Sequence, residues 1–160
     1  MNVVHGNLWN YLDTHWVVIP TNLGWRQNGE NVMGAGVAKV IKDSHPDVAK
    51  WYGQHCMDSR GRPSIVEYQF PYGGVQRRLI MFPTKPLNTD LPHLSWRSPA
   101  SPLLIEHCAG ELASFTASTD VPIAMPLVGG GLGMLPRESV MAILDRHLTS
   151  DRITLVLNDG

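Results

Sequence analysis

Cysteine is scarce in this chain, and neither charge sign dominates. Of 160 residues only two are cysteine, Cys56 and Cys108, and they form no CxxC pair, so we expect a reducing compartment and no disulfide framework. The formal net charge is -1, which gives no general attraction for nucleic acid or anionic membranes, although a local basic groove is compatible with it. No apolar run approaches the roughly 20 residues that span a bilayer. No basic segment followed by an apolar stretch opens the sequence, and we therefore expect a cytoplasmic protein without membrane contact.

The motifs of several enzyme classes are also missing. The sequence has no GxxxxGK[ST] loop, no HExxH pair and no GxSxG elbow, which disfavours P-loop NTPases, zinc metalloproteases and α/β-hydrolases. Its glycine-rich segments do not fit the GxGxxG pattern of dinucleotide-binding domains. The histidines show no metal-ligand spacing, so we expect no catalytic metal.

Glycine and proline separate segments with alternating strand and helix patterns. Segments 16–19, 79–82 and 121–125 are apolar throughout, as expected for central strands covered on both faces. The pattern predicts one domain over residues 1–160 and an α/β fold, a three-layer α/β/α sandwich with a mixed, largely parallel central sheet. The predicted strands are 3–4, 16–19, 64–70, 79–82, 121–125 and 153–157, and the predicted helices are 8–12, 36–43, 46–55, 101–115 and 136–148.

Two glycine-rich loops follow predicted strands and precede predicted helices. One spans 129–133 and the other 32–36. Such loops can direct several backbone N–H groups at an anion, and a helix N-terminus adds partial positive charge. Flexible turns or close packing explain the same glycines. Because ligands bind beyond the carboxyl ends of parallel strands, we expect both loops and Lys85 at one sheet edge, around a ligand with more than one phosphate.

Polar side chains stand at the same predicted edge. Asn22, Asn28 and Asn31 follow the strand 16–19, where asparagine either binds ribose hydroxyls or stabilises turns. Lys85 ends the strand 79–82 and could neutralise an anion, activate water or attack an opened sugar as an amine nucleophile. Beyond it lie His93, Trp96 and Arg97. This cluster is either an exposed pair that stacks on a base or binds a phosphate, or a loop anchor with a buried Trp96.

These segments together resemble the macrodomain family of ADP-ribose-binding α/β modules. His5-Gly6-Asn7-Leu8 is similar to the family's adenine-contacting segment, with Asn7 in place of an acidic residue. The stretch 28–38 resembles the loop that holds the distal ribose, and 129–133 resembles the second phosphate loop. The resemblance implies ligand contacts for the following residues: Asn7, Leu8, Thr21, Asn22, Met33, Gly34, Ala35, Gly36, Val37, Pro126, Val128, Gly129, Gly130, Gly131, Leu132 and Gly133.

Three further segments resemble the lysine-dependent branch of ADP-ribosyl glycohydrolases. They are 33–38 (MGAGVA), 82–85 (FPTK) and 96–101 (WRSPAS). The branch contains enzymes that act on modified DNA and enzymes that act on modified protein. The likeness implies that Lys85 is catalytic, that Asn28 positions the distal ribose, and that Trp96 and Arg97 contact the substrate. Protein-directed members carry an aspartate where this chain has Gly133, which favours a nucleic acid substrate.

The resemblance therefore implies a hydrolase that removes ADP-ribose from a modified macromolecule, with ADP-ribosylated DNA as the preferred substrate. ADP-ribose is the ligand or product, no cofactor is implied, and we expect a monomer. Three alternatives stay open. The protein could be a reader that binds ADP-ribose without catalysis, a hydrolase of protein ADP-ribosylation, or a hydrolase of free derivatives such as O-acetyl-ADP-ribose and ADP-ribose 1''-phosphate.

Overall fold

The computed structural model describes residues 1–130 and 133–158. Strands and helices alternate along most of the chain, and the sequence-predicted order is confirmed. The strands are β1 (Asn2–His5), β2 (Trp16–Asn22), β3 (Val66–Tyr72), β4 (Val75–Lys85), β5 (Ile123–Met125) and β6 (Ile153–Leu157). The helices are α1 (Gly36–Ser44), α2 (Asp47–Ser59), α3 (Pro102–Ser118) and α4 (Arg137–His147), with shorter 3-10 segments at Leu8–Tyr11 and Pro92–Arg97.

The six strands form one mixed sheet in the order β1-β6-β5-β2-β4-β3. All neighbouring strands run parallel except β3 and β4. Helices α1 and α2 contact each other, as do α3 and α4, and they complete the predicted α/β/α sandwich. The apolar runs 16–19, 79–82 and 123–125 are buried on the three adjacent strands β2, β4 and β5, as their composition predicts.

The antiparallel hairpin of β3 and β4 departs from the sequence-based prediction, which began the second strand at residue 79. The strand begins at Val75 instead, and Tyr72 pairs with Val75 across the turn. Gly73 and Gly74 make this two-residue turn with φ of 58° and 81°, a conformation that favours glycine. The polar stretch 75–78 lacks a strand's apolar pattern because it lies at the more exposed end of the hairpin.

Helix starts follow the local sequence. Ser101 caps α3 by accepting a hydrogen bond from the backbone N–H of Leu104 at 3.2 Å, and Pro102 occupies the first turn. The helix predicted over 8–12 is a 3-10 segment whose N-cap is Asn7. None of the helices in the described part of the chain combines the length and apolar character that a membrane crossing requires.

Candidate functional site

A cleft of about 1010 Å³ opens at the carboxyl ends of the central strands. Residues from three parts of the chain line it: 20–22, 26–27 and 32–38 at and after the end of β2, 84–85, 93–94 and Trp96 at and after the end of β4, and 126–127, 129–130 and Gly133 after β5. These are the loops that the parallel-sheet rule places at one edge. The structure thus brings both glycine loops and the strand-end lysine into a single cavity.

Most of the sequence-predicted site residues line this cleft. They are Thr21, Asn22, Met33, Gly34, Ala35, Gly36, Val37, Lys85, Trp96, Pro126, Gly129, Gly130 and Gly133. Leu8 and Val128 do not, because both side chains are buried in the hydrophobic core. Arg97 is exposed but is not part of the lining. The predicted Gly131 and Leu132 lie outside the described residues.

Two predicted asparagines have local structural partners instead of facing the cleft. The Asn7 side chain accepts a hydrogen bond from the backbone N–H of Trp9 at 3.0 Å and caps the 3-10 segment. The Asn28 side chain accepts from the N–H of Glu30 at 3.0 Å, in an exposed turn. Neither residue lines the cleft, so the structure does not place Asn28 with Lys85 as the resemblance implies.

The N-terminus of α1 opens into the cleft without a side-chain cap. Its N-cap is Ala35, which offers no side-chain hydrogen bond, and no acidic residue stands in the first turn. The first backbone N–H groups of a helix have no partner within the helix. Gly36, Val37 and Ala38 all line the cleft, so these donors and the positive end of the helix dipole suit an anionic group.

A buried asparagine pair organises the loop between β2 and α1. Asn31 is fully buried, and its Nδ2 donates to the backbone oxygens of Asn22 at 3.0 Å and Gly24 at 2.8 Å. Asn22 in turn donates from Nδ2 to the carbonyl of Val32 at 2.9 Å and accepts from the N–H of Gly24 at 3.0 Å. The network fixes the path of the loop. Of the two asparagines, Asn22 lines the cleft and Asn31 does not.

Two glycines, Gly53 and Gly24, allow close packing of the same loop against its neighbours. A Cβ at Gly53 of α2 would overlap the carbonyl oxygen of Gly29 and lie 2.6 Å from the backbone nitrogen of Asn31. A Cβ at Gly24 would overlap the carbonyl oxygen of Pro92 and lie 2.6 Å from Cβ of Ser95. The loop therefore packs tightly on α2 and on the 3-10 segment Pro92–Arg97, which lines the cleft as well.

Lys85 ends β4 next to an irregularity in the pairing with β2. Thr21 pairs with Pro83 and Asn22 pairs with Lys85, so Thr84 is an extra residue, a bulge that re-aims the strand end. The Lys85 Nζ donates to the carbonyl oxygen of Trp96 at 2.7 Å. Partial burial lowers the pKa of Lys85 below the usual lysine value, because desolvation disfavours the ammonium form. A larger fraction of this amine is therefore neutral than in an exposed lysine.

The described lining of the cleft contains no aspartate or glutamate, whereas Arg26, Lys85 and His93 all contribute to it. In residues 1–130 and 133–158, no group of three His, Cys, Asp or Glu side chains is placed to hold a metal ion. Electropositive side chains and free backbone donors without competing carboxylates favour an anionic ligand. The geometry can thus bind phosphate groups beside a partly desolvated amine.

Comparison with known proteins rests on structure alone. No family model matches the sequence, and a search of curated proteins gives no match. Among solved structures, the macrodomain of Mycobacterium tuberculosis DarG superposes with a TM-score of 0.76 at 22% identity, over 99% of this chain and 97% of that one. The macrodomain of Thermus aquaticus DarG gives 0.73 at 26% identity, over 99% and 97%. The chain has the macrodomain fold.

A third similar structure is described as Thermosipho africanus DarTG in complex with ADP-ribose. It has a TM-score of 0.75 at 20% identity, and the match covers 98% of this chain and 40% of that chain. At these identities the likeness establishes the fold. The chemistry of the cleft has to be argued from the residues of this chain.

Trp96 and Arg97 form an exposed pair in this chain. The Trp96 side chain is 41% exposed, and the Arg97 guanidinium carbon lies 5.1 Å from the centre of a Trp96 ring. The alternative of a loop anchor with a buried Trp96 is therefore wrong. Ser95 serves as the anchor instead: it is buried, and its hydroxyl donates to the carbonyl of Pro92 at 2.8 Å and accepts from the N–H of Asn88 at 2.9 Å.

Arg26 and Gln27 also line the cleft, although no sequence pattern points to them. They stand in the turn before Asn28-Gly29, a dipeptide typical of turns. Among the asparagines, the following glycine indicates a turn at Asn28, but no sequence pattern predicts the burial of Asn31. This burial arises from packing against α2, where the N–H of Asn31 donates to the carbonyl of Ala49 at 2.9 Å.

Proposed function

We propose that this macrodomain binds ADP-ribose in the cleft and removes it from a modified nucleic acid, preferably DNA, with Lys85 acting at the distal ribose. One observation carries the proposal. The uncapped N-terminus of α1 and the glycine loop after β5 line the same cleft as a partly desolvated lysine, and the described lining of that cleft holds no aspartate or glutamate. Two separate sets of backbone donors suit a diphosphate. The similarity to DarTG, whose structure holds ADP-ribose, supports this choice of ligand.

The chemistry would break the bond between the distal ribose anomeric carbon and the acceptor. A neutral Lys85 amine either removes a proton from the attacking water or attacks the anomeric carbon of the opened sugar. In the second case the acceptor leaves with the proton lost from the amine as the imine forms, and water then hydrolyses the imine, which releases ADP-ribose and regenerates the amine. Both routes need an unprotonated Nζ, which the lowered pKa of Lys85 favours. Fixing the diphosphate on the backbone supplies positioning, a large part of the rate in such sites.

The 3-10 segment Pro92–Arg97 links the lysine to the acceptor side of the cleft. Its Trp96 carbonyl accepts from Lys85 Nζ at 2.7 Å, while the Trp96 ring stays exposed beside Arg97. An exposed aromatic ring with a guanidinium can stack on an unpaired base and contact a phosphate. This arrangement supports a single-stranded nucleic acid as the modified acceptor.

The test compares wild type with Lys85→Ala by calorimetric titration with ADP-ribose and by release of ADP-ribose from modified single-stranded DNA. Wild type should bind and release, whereas Lys85→Ala should bind and release nothing. Lys50→Ala is the matched control because Lys50 is an exposed lysine outside the cleft. Failure of wild type to bind ADP-ribose would overturn the proposal, and release by Lys85→Ala would overturn the role of the lysine.

A second candidate function, a reader of ADP-ribose without catalysis, is favoured by one specific observation. No carboxylate in the described cleft lining can assist Lys85. An acidic side chain at Gly133 would also be crowded, because a Cβ there would lie 2.9 Å from Cβ of Ala100. A reader would bind ADP-ribose in the titration and leave the modified DNA intact in the release assay.

A further inference from the structure

The turn at residues 26–30 forms a rigid part of the cleft rim. The N–H of Arg26 donates to the carbonyl of Glu30 at 2.7 Å, and the N–H of Gly29 donates to the carbonyl of Arg26 at 2.9 Å. Asn28 closes the turn from within by accepting from the N–H of Glu30. Because Gly53 lets α2 pack directly on Gly29, the backbone of this turn is held against the buried face of α2.

Arg26 lies in this turn, at the cleft. The residue is exposed and lines the cleft, and its guanidinium has no ion pair within residues 1–130 and 133–158. Some arginines elsewhere do have ion pairs: Arg77 with Asp13 at 3.0 Å and Arg146 with Glu106 at 2.9 Å. A free guanidinium on a fixed backbone beside a cleft is a site for an anion.

The diphosphate of ADP-ribose is already provided for by the backbone donors of α1 and the loop after β5. Arg26 is therefore a cation beyond what that ligand requires. Its loop contacts the segment Pro92–Arg97 at Gly24, and that segment carries the exposed Trp96 and Arg97. Arg26 and Trp96 line the same cleft, and Arg97 stands against the Trp96 ring. Guanidinium groups together with an exposed aromatic ring suit the phosphates and bases of a single strand.

We propose that Arg26 is a specificity-determining residue that binds a backbone phosphate of the acceptor strand, next to the nucleotide that carries ADP-ribose. The inference rests on the proposed function and adds the phosphodiester as a recognised group. It predicts that a modified oligonucleotide binds more tightly than the corresponding modified mononucleotide, and that salt weakens the difference.

The experiment measures binding of free ADP-ribose, an ADP-ribosylated mononucleotide and an ADP-ribosylated single-stranded oligonucleotide to Lys85→Ala, which leaves the probes intact. Arg26→Gln should weaken binding of the oligonucleotide by roughly fivefold at low salt, as expected for one exposed charge-assisted contact. It should reduce the slope of log K against log salt by about 0.7, the value for one phosphate of a single strand. Affinity for the other two probes should stay unchanged.

Arg62→Gln is the matched control, since Arg62 is exposed and lies outside the cleft lining. Equal effects of the two substitutions on the oligonucleotide would overturn the inference, because they would reflect net charge alone. A loss of affinity for free ADP-ribose in Arg26→Gln would assign Arg26 to the ligand itself and overturn it too. If the Lys85-intact protein fails to bind ADP-ribose, the proposed function falls first and this inference with it.

Discussion

Gly53→Ala tests whether close packing of α2 on the loop after β2 shapes the cleft. Position 53 is a buried helical site where a Cβ would overlap the carbonyl oxygen of Gly29 and lie 2.8 Å from the carbonyl carbon of Glu30. The atoms it meets are backbone, so no side-chain rotation relieves the overlap. Overpacking costs about 1–3 kcal/mol, and this site lies at the upper end.

The helix itself gains from the same substitution. Replacing glycine by alanine in a helix interior stabilises by about 1 kcal/mol. Setting this gain against an overpacking cost of about 3 kcal/mol leaves a net destabilisation of about 2 kcal/mol. For a chain of this length that corresponds to a fall in Tm of about 4–8 °C. Because the displaced loop leads into the N-terminus of α1 and holds Asn22 at the cleft wall, affinity for ADP-ribose should fall as well.

Gly110→Ala provides the matched control within α3. A Cβ at Gly110 would meet only the His147 ring, at 3.8 Å, which is ordinary van der Waals contact. Here the helix gain stands alone, so Gly110→Ala should be neutral or more stable by up to about 1 kcal/mol, with unchanged ADP-ribose binding. Denaturant unfolding and calorimetric titration measure both quantities. A Gly53→Ala protein as stable as Gly110→Ala, with wild-type affinity, would refute the reasoning.

Two further predictions concern the asparagines and Lys85. Asn31→Ala should lower the free energy of unfolding by about 2–3 kcal/mol, because the buried carbonyls of Asn22 and Gly24 lose their donor. Asn28→Ala, in an exposed turn, should lower it by under about 1 kcal/mol, and equal losses for the two variants in denaturant unfolding would contradict the structural role given to Asn31. In wild type, the rate of ADP-ribose release in a single turnover should rise with pH through a pKa below the usual lysine value, since only the neutral amine reacts and desolvation lowers the pKa of Lys85. Lys85→Arg should show no such rise. A wild-type rate that does not change over this pH range would exclude a reacting neutral lysine.

The central strands and the sheet edge that carries the cleft could be predicted, because strands buried on both faces have a recognisable local composition. The runs 16–19, 79–82 and 121–125 are apolar on every residue, which a strand needs only when both faces are covered. Once those strands are parallel neighbours, chain direction alone brings the following loops together. The β3–β4 turn also had a signal, the Gly73-Gly74 pair typical of a two-residue hairpin, but the polar residues after it obscured the strand.

The details of the loop after β2 could not be predicted in the same way. The Asn28-Gly29 pair indicates a turn, but nothing local to Asn31 predicts its burial, which comes from packing of the loop on α2 at Gly53. Leu8 and Val128 are predicted ligand contacts, yet both side chains are buried in the core. Position next to a binding loop in the sequence does not determine which side chains reach the ligand, because some side chains of such segments pack into the core.

The net charge of the chain does not predict the charge of the cleft. A formal charge of -1 gives no reason to expect a polyanion, yet several acidic side chains lie in ion pairs away from the cleft, including Asp13, Asp43 and Glu106. Arg26 and Lys85 line the cleft without a carboxylate among its described lining residues. The potential that a ligand meets depends on this distribution and not on the sum. A nearly neutral chain can therefore present a cationic, acid-free cleft, which is the property that a phosphate-rich substrate requires.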